Sequence, residues 1–302
     1  MASPDEFRKR TLARLDTIRS HLQTAPRTYR LKNKVCIITG VGSLKGIGRA
    51  TALLFAHEGA RHLYLTDYHP TNLPDLKSTI EKAYPDVKVT VQQADAADED
   101  AVACLCKQAL HEEGRLDVFF ANAGIGPFTL IEDLGPKQFM ETMRVNSLSC
   151  FLAVKYASAA MKEFNASRGK EHSGGSIILT ASVAGLRSGA GSTDYSASKS
   201  AVNSIAQTAI YQLQKTDIRV NTICPGLIDT GMTVGVFEPA RSRGMEGKIG
   251  QLNPLGRYGL PQEIANVALF LASDESSYVN GQAWAVDGGL SSSHPVIPGR
   301  FH

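Results

Sequence analysis

Tyr195 and Lys199 stand one helical turn apart in the run Asp194-Tyr-Ser-Ala-Ser-Lys199. Positions i and i+4 of a helix share a face. A phenol, with a pKa of ~10, carries protons poorly at neutral pH. A nearby ammonium favours the phenolate and pulls that value down. The pair can therefore give or take a proton at a carbonyl or alcohol oxygen. Alone, the spacing is also what a solvated helix face produces. Ser182 lies upstream, just past the apolar, β-branched run 176–180, which reads as a buried strand. A serine at that strand end can hydrogen-bond a substrate oxygen, or simply cap a turn.

A second constellation lies near the start. Residues 34–39 read as a strand, Gly40-Val-Gly-Ser-Leu-Lys-Gly46-Ile-Gly48 as a glycine-rich turn, and 49–58 as a helix. Strand, glycine turn and helix form the context of a dinucleotide fingerprint. The glycines let the backbone approach a pyrophosphate, whose charge the helix N-terminus attracts. The next strand, 61–66, ends at Asp67. An acid there accepts hydrogen bonds from a ribose and repels a 2′-phosphate, which favours NAD over NADP.

These residues together resemble the short-chain dehydrogenase/reductase family, over about residues 31–290. The resemblance rests on several motifs in order. They are Thr39-Gly40 through Gly48, Asp67, Asp95, Asn122-Ala-Gly124, Asn146, Ser182, Tyr195 with Lys199, and Pro225-Gly226 through Thr230. It implies a catalytic tetrad of Asn146, Ser182, Tyr195 and Lys199. It implies cofactor contacts from Gly40, Gly46, Ile47 and Gly48 in the loop. Asp95 would meet the adenine; Asn122, Ala123 and Gly124 would lie beside its ribose. Pro225, Gly226, Ile228 and Thr230 would hold the nicotinamide end. Lys199 would also bind the nicotinamide ribose, and Asn146 would hold a water linking Lys199 to solvent. The main branch of the family has three residues between its first two loop glycines, whereas five, Val41 to Lys45, stand here. That length is closer to a divergent branch containing enoyl reductases. The Gly-Ile-Gly turn and the Tyr–Lys spacing are of the main-branch kind. Ser43 is assigned the loop's polar contact. Lys45 is the signal for NADP, because some NADP-using relatives place a base there.

The expected activity is hydride transfer between NAD(H), with NADP(H) as alternative, and a small-molecule secondary alcohol/ketone pair. Tyr195 acts as acid and base. The rivals are reduction of a carbon–carbon double bond and a non-catalytic dinucleotide sensor or scaffold. A sensor has no need of the whole tetrad.

Composition agrees with a soluble enzyme. The 302 residues are 43% hydrophobic, enough for a substantial core. The net charge of +3 is too small to argue for nucleic acid, and no apolar run approaches the ~18 residues of a membrane span. Five cysteines and eight histidines are scattered without metal-ligand spacing, so no metal is expected. Cys36, Cys150 and Cys224 read as small core hydrophobes, and the odd count fits a reducing, cytoplasmic setting. In the N-terminal extension, 1–30, Phe7, Leu12, Leu15, Ile18 and Leu22 recur at helical spacing among basic residues. A mitochondrial address is the alternative to cytoplasm, but Asp5, Glu6 and Asp16 argue against it. The C-terminus lacks a Ser-Lys-Leu peroxisomal address.

Residues 31–302 read as one α/β domain: a Rossmann-type, doubly wound parallel sheet of about seven strands with helices on both faces. Strands are expected at 35–39, 62–66, 88–92, 116–121, 176–180, 219–223 and 283–286, in the order 3-2-1-4-5-6-7. Helices are expected at 99–113, 145–164, 195–215 and 261–272. The stretch 166–175 reads as a polar surface loop. Residues 227–255 mix apolar and basic side chains with Gly231, Gly235, Gly244 and Gly250, the pattern of a hinged substrate lid. By resemblance the helices after Asn146 and from Tyr195 would join subunits into a homotetramer or homodimer. Ala153, Ala157, Ala159 and Ala160 would permit their close approach.

Overall fold

A computed structural model describes residues 4–293 of the chain. Seven strands form one parallel sheet: β1 (Val35–Thr39), β2 (His62–Asp67), β3 (Lys88–Gln93), β4 (Val118–Ala121), β5 (Gly175–Thr180), β6 (Ile218–Pro225) and β7 (Ala283–Val286). Their order is β3-β2-β1-β4-β5-β6-β7, as expected. The winding therefore reverses between β1 and β4. A crevice opens at such a switch point, beyond the carboxyl ends of the strands.

Alternate residues of β1 feed different cores. Cys36 and Ile38 face α2 (Ile47–His57), α3 (Leu73–Ala83) and α9 (Pro261–Ala272), where Phe55, Leu76 and Leu269 are buried. Val35 and Ile37 face α4 (Glu99–Glu113), α6 (Ser149–Lys162) and α7 (Thr193–Gln212), with Leu105, Leu152 and Val202. Burial on both faces explains why these strands read as continuous apolar runs. Ends are set locally. Asp98 accepts a hydrogen bond from the Ala101 amide at the start of α4, and Gly114, at φ 69°, closes it in the left-handed region.

Three expectations need correction. The helix expected from 145 begins earlier, as α5 (Pro136–Met143), and runs through a π-helical turn, Arg144–Leu148, into α6. Ala153, Ala157 and Ala160 are buried in the chain's own core, so the outward face of α6 is Phe151, Lys155 and Ala159. The polar loop after α6 is not all surface. Lys170 is 5% exposed, and its Nζ donates to the carbonyls of Leu116 (2.8 Å) and Met161 (3.0 Å). The thiols of Cys36, Cys150 and Cys224 are buried, as expected.

Burial pushes the Lys170 ammonium down to about 8. The unfolded chain, with Lys near ~10.4, binds more protons between those values, so stability attributable to this side chain rises with pH across that window. Lys170→Met removes the titrating group. Urea midpoints at pH 7.5 and 9.5 should therefore show the native protein gaining on the variant at the higher pH. An equal difference at both values would contradict the buried-cation account.

The amphipathic N-terminal segment forms α1 (Pro4–Thr24). Leu15 and Ile18 are buried against Phe237, Ile249, Tyr258 and Leu260, while the side chains of Phe7 and Leu22 fall outside the described residues. Residues 227–255 contain α8 (Val234–Ser242) between two short 3₁₀ turns. No helix among the described residues is long and apolar enough to cross a membrane. Nor does any group of His, Cys, Asp or Glu among them suit a metal.

Candidate active site

The cleft at the switch point encloses about 880 Å³. It runs from Asp67, Tyr68 and His69 past the glycine loop to Ser182, Tyr195 and Thr230.

The loop geometry at its first wall follows from missing side chains. Gly40 has φ 73°, and a Cβ there would sit 2.8 Å from the Ala123 Cα. A Cβ on Gly48 would sit 2.3 Å from the Gly40 carbonyl oxygen. Loop, helix and β4 thus pack backbone to backbone. Asn122 locks this arrangement: its Nδ2 donates to the Gly40 carbonyl at 3.0 Å, and its Oδ1 accepts from the Thr180 hydroxyl at 3.1 Å. Thr39 Oγ1 accepts from the amides of Asn122 and Ala123. α2 opens on Gly46 without a side-chain cap, so its positive end is presented to the loop.

Asp67 ends β2 with both carboxylate oxygens engaged. Oδ2 accepts from the Gly42 amide at 2.7 Å and Oδ1 from the His69 amide at 2.9 Å. The acid therefore shapes the long loop as well as facing the cleft. Asp95 accepts from the Ala97 amide and from Arg144, which also binds Glu141. The second charge pair holds the Arg144 guanidinium above its ordinary range.

At the other end, Ser182 follows β5 and caps a short 3₁₀ turn, its Oγ accepting from the Ala184 amide at 3.1 Å. The capping and cleft-lining roles thus coincide in one hydroxyl. Tyr195 and Lys199 come from the first turns of α7. The Tyr195 ring is flanked by Gly191 and Gly126; a Cβ on Gly191 would touch the ring at 2.7 Å. Met232 stands beside Gly126, with its Sδ 2.9 Å from where a Cβ would be. Lys199 is 3% exposed. Its Nζ donates to the Thr180 carbonyl at 2.8 Å and lies 5.7 Å from the Tyr195 ring centroid.

The π-helical turn brings Asn146 inward, where it is fully buried. Its Oδ1 accepts from the Ile125 amide at 2.8 Å, and its Nδ2 donates to the Ile125 carbonyl and to Ser198 Oγ, each at 3.0 Å. Ser198 in turn donates to the Tyr195 carbonyl at 2.7 Å. A Cβ on Gly124 would lie 3.0 Å from Asn146 Oδ1 and 3.4 Å from Lys199 Nζ, so a bare glycine leaves open the space before both.

Gly40, Ser43, Gly46, Ile47, Asp67, Asp95, Asn122, Ala123 and Gly124 line the cleft on the first side, and Pro225, Gly226, Ile228 and Thr230 on the other. Asn146 and Gly48 lie behind the lining. Lys45 is exposed and does not line it. Sequence reasoning missed Gly126, Ser198 and Arg144, whereas Met232 falls within the stretch 227–255 read as a lid. The Gly124-Ile-Gly126 repeat was the one visible signal for Gly126.

A family model described as Enoyl-(Acyl carrier protein) reductase matches residues 40–291. The chain is 38% identical over 262 residues to 3-oxoacyl-(acyl-carrier-protein) reductase FabG of Thermotoga maritima, covering 86% of this chain and 99% of that one. It is 34% identical over 275 residues to levodione reductase of Leifsonia aquatica, covering 90% and 99%. A crystal structure of levodione reductase superposes with a TM-score of 0.78 over 87% of this chain and 100% of that one, at 34% identity. The chain belongs to the short-chain dehydrogenase/reductase family. It is therefore an oxidoreductase of a family that uses NAD(P).

Proposed function

We propose that the protein interconverts a secondary alcohol and a ketone with NAD(H), and that Tyr195 carries the proton. The observation behind this reading is the meeting of Ser182, Tyr195 and Lys199 at one end of a cleft whose other end holds Asp67. When bound, the nicotinamide exchanges a hydride with the carbon bearing the reacting oxygen. Tyr195 gives that oxygen a proton in reduction and removes it in oxidation. The Ser182 oxygen already accepts from Ala184, which leaves its own proton for the substrate oxygen. Lys199 keeps a positive charge under the phenol and a spare donor for the nicotinamide ribose. Asn146 holds the first turn of α7 through Ser198, and maintains the proton exit.

The bare glycines and the uncapped end of α2 suit a pyrophosphate, with Gly40, Ser43, Gly46 and Ile47 beside it and Gly48 packed behind. Asp67 favours an unphosphorylated ribose. Asp95, Asn122, Ala123 and Gly124 take the adenosine half, and Pro225, Gly226, Ile228 and Thr230 the nicotinamide end. Residues 227–255 close over the substrate. The assembly is a homodimer or homotetramer that uses the outward face of α6.

The substrate's non-reacting part is read as apolar. The Ser192 hydroxyl proton is shared between the Pro127 carbonyl and the Asp194 carboxylate, Thr233 donates to the Ile228 carbonyl, and Gln138 donates to Thr129. The side chains left uncommitted around Gly126 include Ile125, Phe128 and Met232, all exposed. A sugar's hydroxyls would find few partners there. The test follows NADH absorbance with cyclic and aryl ketones, aldoses, and α,β-unsaturated thioesters. Apolar ketones should exceed both other classes in kcat/KM by about tenfold or more. Preference for aldoses would overturn the substrate class, and preference for the thioesters would favour double-bond reduction, for which the long loop speaks.

A further inference from the structure

We propose that α1 is a brace for the substrate lid, holding 227–255 in the position from which it meets the active site. The inference rests on the lid reading above and goes beyond it, because α1 lies before the residues 40–291 matched by the family model. The T. maritima relative is matched over 99% of its length by 86% of this chain, so part of this chain is additional to it.

The contact is a small core of its own, separate from the two that flank the sheet. Leu15 is fully buried and Ile18 is 3% exposed. Their partners are Phe237 in α8, Ile249 beyond it, and Tyr258 and Leu260 at the approach to α9. Phe237 and Tyr258 pack edge to face at 4.9 Å. A polar network continues the joint toward the cleft. The Tyr258 hydroxyl donates to Glu246 at 2.7 Å, Arg241 Nε donates to Glu246 at 3.2 Å, and Arg241 Nη2 donates to Asp229. Arg19 of α1 reaches the same Asp229 carboxylate at 4.0 Å.

Asp229 sits between Ile228 and Thr230, both of which line the cleft. The same end of the lid abuts the site through Met232, beside Gly126 and the Tyr195 ring, and through Gly231, where a Cβ would lie 2.7 Å from Ser43 Oγ. One continuous path of contacts therefore joins Leu15 to Met232. Without Leu15 and Ile18, Phe237 and Ile249 would face solvent, and the lid would lose its apolar reason to stay folded. α1 is a positioning element: it touches neither cofactor nor substrate.

Leu15→Asp in the 302-residue protein places a charge in this core and should release α1. Hydrogen exchange of amides in 234–249 is then expected to accelerate about tenfold or more, with the amides of β1, β4 and β5 unchanged. KM for a ketone substrate is expected to rise about fivefold, with kcat and the NADH Kd within about twofold. Arg19→Met, at a half-exposed position that folding tolerates, is the second variant and should move KM in the same direction by a smaller factor. Fast exchange in α1 with unchanged exchange in 234–249 would overturn the brace. So would an unchanged KM in both variants, or acceleration spread equally over the whole sheet. The exchange arm needs no turnover, so absence of ketone reduction by the native protein would sink the proposed function and leave the brace to be judged on exchange.

Discussion

Tyr195→Phe is expected to lower kcat by about 10³-fold while NADH still binds within about twofold of the native Kd. The size follows from what the hydroxyl does. In the proposed reaction it is the proton carrier at the reacting oxygen, and general acid–base groups contribute about 10²–10⁴ in rate. The specificity follows from the packing. Among the described residues the Tyr195 hydroxyl has no hydrogen-bond partner, while the ring is held between Gly191 and Gly126. Phenylalanine keeps the ring, so the Tm should stay within about 2 °C. Ser182 and Lys199 remain to bind substrate and cofactor. Steady-state turnover with an apolar ketone and fluorescence titration of NADH separate the two effects. Native turnover in the variant would contradict the assignment of Tyr195.

Asp67→Asn is the second large effect. A carboxylate and a 2′-phosphate about 4 Å apart repel by about 1–4 kcal/mol, depending on the local dielectric. That corresponds to a discrimination of about 5-fold to 10³-fold against NADP(H). Asparagine removes the charge and keeps one acceptor for the Gly42 or His69 amide, though not both. The ratio of kcat/KM for NADP(H) over NAD(H) should rise about 10²-fold, with NAD(H) itself falling about tenfold because the loop loses an anchor. Lys45, exposed and away from the cleft lining, offers no competing cation there. A native protein that prefers NADP(H), or a ratio indifferent to the substitution, would contradict this role.

Elements with local punctuation were legible end to end. α4 carries its own stop signals, Asp98 before it and Gly114 after it, and its expected and observed bounds agree. α9 begins at Pro261, where a missing amide costs nothing, and it too agrees. The helix around Asn146 was misplaced because its inner turn is π-helical, which breaks the 3.6-residue period on which the reading relied. The start signal, Gly135-Pro136, lies ten residues before Val145 and belongs to α5.

The site was legible where chemistry needs a residue type and obscure where geometry needs a neighbour. Tyr195, Lys199 and Ser182 announced themselves by type and spacing. One Ser182 hydroxyl both caps the 3₁₀ turn and faces the cleft. The Asp67 grip on Gly42 joins residues from two strand ends and has no local signature. Nor has the seat of α1. Its apolar stripe says that a face is buried, but not that Phe237 and Ile249, more than two hundred residues later, bury it. A lysine in a polar loop reads as surface; the carbonyls of Leu116 and Met161 that receive Lys170 come from β4's approach and the end of α6.

In the proposed reduction a hydride passes to the carbonyl carbon while Tyr195 protonates its oxygen. The direct measurement uses NADH deuterated at the transferring position of C4, with mass spectrometry and NMR of the product made from an apolar ketone. One deuterium per molecule is expected, bonded to the carbinol carbon, with the hydroxyl proton drawn from solvent. Label at a carbon beside a saturated double bond, label lost to solvent, or an unlabelled alcohol would contradict it.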